Sequence, residues 1–244
     1  MSSNTILITG ATAGIGLATA KSLSEKGHRL VVTGRNSEKL EATVKCLQGE
    51  VIPVLCDSEK MSDIQTLGEK LKTDNIRLDG VVLNAGVYFP NELETTTLEA
   101  FELTMNVNFK APYFTLQALL PVLNNPTSVV MVSSLVVKKA FPSSSLYSAS
   151  KAALEGVVGC LNVDLAEKGI RINSVRPGVT ATEIQGKAGM NDEAFEGLKS
   201  FMNTTPLGRI LETSDIVPAI EYLLSPVSEG MRGGSLDVDA GHAL

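Results

Sequence analysis

The chain has 244 residues, 43% of them hydrophobic and 20% charged, with a formal net charge of −6. That length suits one large domain with a deep core, and the acidic balance argues against nucleic acid, which selects a basic face. Three scattered cysteines (Cys46, Cys56, Cys160) and two distant histidines (His28, His242) have neither disulfide nor metal-ligand spacing. No apolar run of about 18 residues and no basic-then-apolar leader is present, so a metal-free protein of the reducing cytoplasm, off the membrane, is expected.

The first strand-length apolar run is TILIT at 5–9, followed by GATAGIG and a helix-length segment at 14–26 that stops at Gly27. Glycines at 10, 14 and 16 allow a sharp turn and close approach of the backbone to a ligand. The N-terminus of the helix that follows suits a pyrophosphate, by its free N–H groups and its dipole. The spacing is G-x-x-x-G-x-G rather than the common G-x-G-x-x-G. The second strand, RLVVT at 29–33, ends at Gly34 and Arg35, where dinucleotide folds often carry an acid for the ribose hydroxyl. A guanidinium there grips a 2′-phosphate that an acid would repel, which favours NADP(H) over NAD(H).

Ser37 opens the next helix, with Leu40, Val44 and Leu47 on one stripe. Strand VIPVL at 51–55 contains Pro53, which suits an irregular strand or an amide without a partner. Then come a helix at 62–72, strand DGVVL at 79–83, a long helix at 98–123 with Asn108 in an apolar stretch, and strand TSVVMV at 127–132. A helix at 145–168 and strand IRINSV at 170–175 follow, then a helix at 213–224 capped by Thr213 and strand SLDV at 235–238. Apolar strands alternating with helices predict an α/β fold: seven strands in a doubly wound, Rossmann-like parallel sheet, helices on both faces, in a single domain. Residues 183–205 break the rhythm and suggest one or two short helices, a candidate lid beyond a strand's carboxyl end.

Tyr147 and Lys151 stand at i and i+4 in LYSASKAAL, about 5–6 Å apart on one helix face. A cation beside a phenol lowers its pKa and improves it as a proton donor at neutral pH. Ser134, just past the fifth strand, offers a hydroxyl to polarise a carbonyl oxygen beside that phenol. A buried Asn108 needs partners, either a backbone group or a water.

With these residues in order, the chain resembles the short-chain dehydrogenase/reductase family in its compact single-domain branch, similar to 3-oxoacyl-[acyl-carrier-protein] reductases. TGATAGIG (9–16), NAG (84–86), Asn108, Ser134, YSASK (147–151), PGVTAT (177–182), PLGR (206–209) and VDAG (238–241) carry the resemblance over essentially the whole chain. It implies Tyr147 as general acid or base and Lys151 as the group that lowers its pKa and binds the nicotinamide ribose. It also implies Ser134 as the orienter of the substrate oxygen and Asn108 as holder of a water leading to solvent. Cofactor contacts are implied for Gly10, Thr12, Ala13, Gly14, Ile15 and Gly16 in the turn, and for Asp57 at the adenine. Asn84, Ala85 and Gly86 would line the cleft, and Pro177, Gly178, Val179 and Thr182 would surround the carboxamide. The family often has NNAG where Leu83 stands here, and NADP-preferring members often carry a basic residue where Ala13 stands, which leaves Arg35 as the obvious phosphate clamp.

A small-molecule carbonyl or alcohol is the implied substrate, and a homodimer or homotetramer packed through helices 98–123 and 145–168 and the C-terminal strand the implied assembly, with Ala152, Gly156 and Gly159 allowing close approach or facing the sheet. Reduction of 3-oxoacyl groups on acyl carrier protein is the alternative, but residues 111–137 contain no Lys or Arg for an acidic partner, leaving Lys168 and Arg171. A non-catalytic dinucleotide sensor would be expected to lack Tyr147 or Lys151, and the C-terminus is too short for a sugar-nucleotide epimerase. Lys138 and Lys139 could attract an anionic substrate end, and Tyr88, Phe89, Phe141, Met190, Phe195 and Met202 could form an apolar pocket.

Overall fold

Seven strands form one parallel sheet in the computed structural model, which describes residues 3–244. In chain order the elements are β1 (Thr5–Ile8), α1 (Gly14–Glu25), β2 (Arg29–Gly34), α2 (Ser37–Lys45), β3 (Val51–Leu55), α3 (Met61–Thr73) and β4 (Leu78–Leu83). Then come α4 (Leu98–Met105), α5 (Ala111–Leu119), β5 (Leu123–Val132), α6 (Ser145–Gly156), α7 (Val158–Asp164) and β6 (Ile170–Pro177). Two short helices, α8 (Ile184–Lys187) and α9 (Asp192–Met202), precede α10 (Thr213–Leu224) and β7 (Ser235–Val238). The strand order is β3-β2-β1-β4-β5-β6-β7, so the winding reverses between β1 and β4.

Both faces of the sheet are buried, which is why the strands read as near-continuous apolar runs. Alternate residues serve opposite layers. Leu7, Val31, Val81, Val129 and Ile172 pack with α3, α5 and α6 through Ile64, Leu67, Leu116, Leu119 and Leu154. Ile6, Ile8, Leu30, Val32, Val82 and Val130 pack with α1, α2 and α10 through Ala20, Leu23, Leu40, Ile216 and Ile220. Each fully buried aliphatic side chain contributes about 1.5–3 kcal/mol relative to exposure. A one-residue slip of a central strand would exchange its two layers.

Several boundaries differ from the sequence reading. β5 starts at Leu123, not 127, with a register irregularity against β4 between the Leu78–Leu123 and Gly80–Ser128 pairs. The long helix expected at 98–123 is interrupted by a π turn at Asn106–Lys110. The one expected at 145–168 divides into α6, α7 and a final 3₁₀ turn. Pro53 sits in β3, which is an edge strand, so its missing N–H costs no ladder partner on the open side. Helix α10 is capped by Glu212 rather than Thr213: Glu212 and Asp215 form a reciprocal capping box, and Arg209 grips Asp215 through both guanidinium nitrogens at 2.7 and 2.8 Å.

Candidate active site

A cleft of about 500 Å³ opens at the carboxyl ends of the strands, where the connections leaving the paired strands β1 and β4 run to opposite faces of the sheet. One end is built by the turn after β1. Gly10 and Gly14 have φ of +64° and +53°, which only glycine adopts without strain. Gly16 serves a different need: a Cβ there would lie 2.4 Å from both the Gly10 carbonyl oxygen and Asn84 Nδ2, so α1 can press against the end of β1 only without a side chain. Thr12, Ala13 and Ile15 join Gly10 and Gly14 in the cleft wall, whereas Gly16 stands behind it. Ala13, the N-cap of α1, offers no side-chain acceptor and the first turn holds no acid, so the positive helix end is left for an anion.

Asn84 fastens this end together. Its Nδ2 donates to Thr9 O (3.0 Å) and Gly10 O (3.2 Å), while the backbone N–H groups of Asn84 and Ala85 both donate to Thr9 Oγ1. Arg35 and Asp57 line the far end, and Gly34 beside Arg35 is buried with its missing Cβ 2.6 Å from Thr12 Cγ2. The space an acidic side chain would need after β2 is therefore filled by Thr12. On the opposite wall, Pro177 ends β6, and Gly178, Val179 and Thr182 follow it. Gln185 holds this loop, accepting from Thr182 N–H (3.2 Å) and donating to Thr180 O (2.7 Å).

Ser134, Tyr147 and Lys151 meet in the middle of the cleft. Tyr147 packs edge-on against Tyr88, with ring centroids 5.0 Å apart at 64°. Lys151 is buried, donates to Val132 O at 2.8 Å, and holds its Nζ 5.8 Å from the Tyr147 ring centre. The lysine was expected to lower the phenol's pKa. Instead burial pushes Tyr147 up to about 12; the nearby Ser134 hydroxyl pulls it down and Tyr88 adds to the rise. Burial also pushes Lys151 down to about 8, against an upward pull from Glu155. At both groups desolvation outweighs the opposing pull, which comes from the Ser134 hydroxyl at Tyr147 and from the Glu155 carboxylate at Lys151.

Asn108 is fully buried behind the cleft. Its Oδ1 accepts from Val87 N–H (2.8 Å), and its Nδ2 donates to Val87 O (2.9 Å) and Ser150 Oγ (3.0 Å). The side chain thus bonds to backbone and hydroxyl partners. It clamps the segment after β4 to α6, whose Ser150 in turn donates to Tyr147 O at 2.7 Å. Gly86 makes room: a Cβ there would lie 3.3 Å from Asn108 Oδ1 and 3.5 Å from Lys151 Nζ.

Residues 183–205 fold as α8 and α9 across the cleft, contributing Met190, Leu198 and Phe201. Of the apolar residues picked from sequence, Tyr88, Phe141 and Met190 line the cleft; Phe89 and Phe195 do not, and Met202 is core. Lys138 and Lys139 are not free substrate hooks: Lys138 pairs with Asp237 at 2.7 Å and Lys139 donates to His242 O at 2.5 Å. Sequence reasoning missed Ser133, Leu198, Phe201 and His242, which lack motif spacing and reach the cleft only through tertiary folding. Among the described residues, no cluster of His, Cys, Asp and Glu could hold a metal ion, and no helix is long and apolar enough to cross a membrane.

A family model described as enoyl-(acyl carrier protein) reductase matches residues 10–243. The human dehydrogenase/reductase SDR family member 4 is 31% identical over 245 residues, covering 96% of this chain and 86% of that protein. The chain belongs to the short-chain dehydrogenase/reductase family. A tropinone reductase homolog from Datura stramonium is 30% identical to this dehydrogenase/reductase, over 98% of its chain and 92% of the relative. The crystal structure of a dehydrogenase/reductase from Sinorhizobium meliloti superposes with a TM-score of 0.89 at 30% identity, covering 99% and 95% of the two chains. A levodione reductase superposes at 0.90 with 24% identity, covering 98% and 97%, which is a likeness of fold. This short-chain dehydrogenase/reductase is accordingly an NAD(P)-dependent enzyme acting on CH–OH or C=O groups.

Proposed function

We propose that the protein is an NADP(H)-dependent oxidoreductase that interconverts a small-molecule carbonyl and its secondary alcohol, with Tyr147 as general acid and base. The observation that carries this reading is the meeting of Tyr147, Ser134 and Lys151 in the same cleft as the glycine turn and Arg35. The cradle suits a dinucleotide: the turn lacks side chains where a backbone must approach phosphate, and the end of α1 is uncapped. The nicotinamide supplies or accepts the hydride. In reduction, Tyr147 Oη gives its proton to the carbonyl oxygen and Ser134 Oγ orients that oxygen. In oxidation, Tyr147 takes the proton back. Lys151 holds the ribose side with a positive charge, and Asn108 is a positioning residue that keeps α6 in register with the segment after β4.

The test is a ketone and 3-oxoacyl thioester panel with NADPH or NADH, followed by loss of reduced-cofactor absorbance. No consumption with any carbonyl would favour a non-catalytic dinucleotide sensor. NADPH is expected to be preferred. Arg35→Ala should raise the KM for NADPH by about 10–100-fold, the loss of one charge-assisted contact of about 1.5–3 kcal/mol, with little change for NADH. A wild-type preference for NADH would refute the role given to Arg35.

The family model's description favours a carrier-protein substrate as a second reading. Against it, Arg171 is unavailable for docking: it is buried and donates to Ser225 O at 2.8 Å. A homodimer or homotetramer is supported by an open stripe on α6 and α7. Ala152 is exposed, and Gly156 and Gly159 face nothing within 4 Å, so the glycines do not face the sheet. Sedimentation at micromolar concentration should give about two or four times 25.8 kDa; a monomer would refute the assembly. The free thiols of Cys46, Cys56 and Cys160 suit a reducing compartment such as the cytoplasm.

A further inference from the structure

The C-terminal residues place an imidazole in the cleft wall that the reaction above does not use. After β7 the chain turns back through Ala240 and Gly241, at φ of +62° and +74°. Asp239 organises the turn: its carboxylate accepts from Gly241 N–H (2.9 Å) and Ala243 N–H (3.0 Å), and its carbonyl from His242 N–H (3.0 Å). Leu207 N–H donates to Ala240 O at 3.2 Å, and Lys139 Nζ to His242 O at 2.5 Å. The tail is thus held from three sides, by its own carboxylate, by the loop before α10 and by the loop before α6.

This anchoring presents His242 to the cleft. The residue is 6% exposed, and its Nδ1 is buried without a hydrogen-bond partner. Its ring lies edge-on to Phe141 (5.4 Å, 77°) and Phe201 (5.7 Å, 65°), one from the loop leading to Tyr147 and the other from α9. Met190 and Leu198 complete an apolar surround in the same cleft. Nδ1 is closed off from the cleft, which leaves Nε2, hydrogen-bonded to no other group among the described residues, as the ring nitrogen that can meet a ligand atom. Burial, followed by the Lys139 ammonium, holds the imidazole below its ordinary pKa, with Asp239 pulling the other way, so the ring is neutral near pH 7. The lysines of the neighbouring loop are engaged with Asp237 and with the His242 carbonyl, so the matching ligand atom is an uncharged oxygen.

We propose that His242 is a specificity-determining residue that hydrogen-bonds a second, neutral oxygen of the substrate, so that the enzyme favours diketones or hydroxyketones on an apolar skeleton over matched monoketones. This rests on the reading of Tyr147 as the site of the reacting carbonyl. His242 takes the distant oxygen while Phe141, Phe201, Met190 and Leu198 cover the carbon skeleton.

The test uses binding, so that it does not depend on turnover. Matched cyclic and open-chain monoketones, diketones and hydroxyketones with a tertiary hydroxyl are titrated into the protein with NADP⁺, which can neither reduce the ketones nor take a hydride from a tertiary alcohol. The wild type should bind the two-oxygen member of at least one pair about 5–10-fold more tightly, the value of one neutral hydrogen bond. His242→Leu should abolish that preference and keep monoketone binding, and His242→Gln should retain part of it. The chain has two histidines, so a His28→Gln variant leaves one imidazole. Its ¹⁵N resonances should shift with the preferred two-oxygen compound and not with its monoketone match, a readout independent of the Leu variant's folding. Equal affinities across all pairs, an unchanged preference in His242→Leu, or an imidazole unmoved by the preferred compound would each overturn the proposal. Parallel turnover with NADPH separates the two ideas: discrimination in binding without cofactor consumption would refute the oxidoreductase reading and leave the role of His242 standing.

Discussion

Tyr147→Phe should lower kcat for ketone reduction by about 10²–10⁴-fold, the range for loss of a positioned acid, while the Kd for reduced cofactor changes by less than about threefold. The substitution removes one oxygen and keeps the ring that packs edge-on against Tyr88, so melting temperature should hardly change. The direction of the pKa sharpens the expectation. With Tyr147 pushed up to about 12, the phenol is protonated throughout the neutral range and is ready as a donor. Reduction therefore needs no alkaline activation at Tyr147, whereas alcohol oxidation, which needs the deprotonated form, should gain relative to reduction as pH rises. Stopped-flow rates in both directions between pH 6 and about pH 10 would check this. A Phe variant with wild-type kcat would remove Tyr147 from the mechanism.

Lys151→Met should abolish most activity and at the same time stabilise the fold near neutral pH. Lys151 is buried and held at about 8, against an ordinary value of 10.5. A base with a depressed folded-state pKa binds its proton less tightly folded than unfolded. Below pH 8 the folded state carries the full cost, and the cost fades as pH rises from about 8 to 10.5. At pH 7 that cost is roughly 3 kcal/mol at 1.36 kcal/mol per unit, partly offset by the ammonium's hydrogen bond to Val132 O. A net gain of about 1–2 kcal/mol would raise the Tm of a chain this long by about 2–8 °C at pH 7, and the gain should vanish near pH 10.5. Calorimetry of both proteins at the two pH values decides the matter: a variant less stable than wild type at pH 7 would mean that the lysine contributes more as a bonded cation than its burial costs. The same titration predicts that reduction by the wild type falls as pH rises through about 8, when the charge on the ribose side is lost.

Much of the fold was legible because the information is local. The strands at 5–9, 29–33 and 79–83 are apolar at their centres, with polar residues only at their ends, and a chain alternating such runs with helices has few ways to bury them. The glycines of the first turn carried their own stereochemistry, and the structure finds Gly10 and Gly14 at positive φ. Most residues named for the cleft line it; Gly16 and Asn108 stand behind it, one leaving room for α1 and the other clamping α6. Boundaries were less legible. The start of β5 depends on pairing with Leu78, and the cap of α10 on the reciprocal geometry of Glu212 and Asp215, neither of which a propensity scale reads.

By itself the sequence determined the sheet's composition, the place of the glycine turn and the four-residue step from Tyr147 to Lys151, since these follow from nearest-neighbour stereochemistry and the periods of strand and helix. Only the tertiary structure decided how those groups are charged and what surrounds them. It turned the lysine's ammonium toward Val132 O, raised the phenol instead of lowering it, engaged Lys138 and Lys139, and brought His242 from the chain's end to a cleft begun near residue 10. The reason is physical: desolvation and hydrogen-bond partnership depend on atoms distant in the chain, which no local spacing contains.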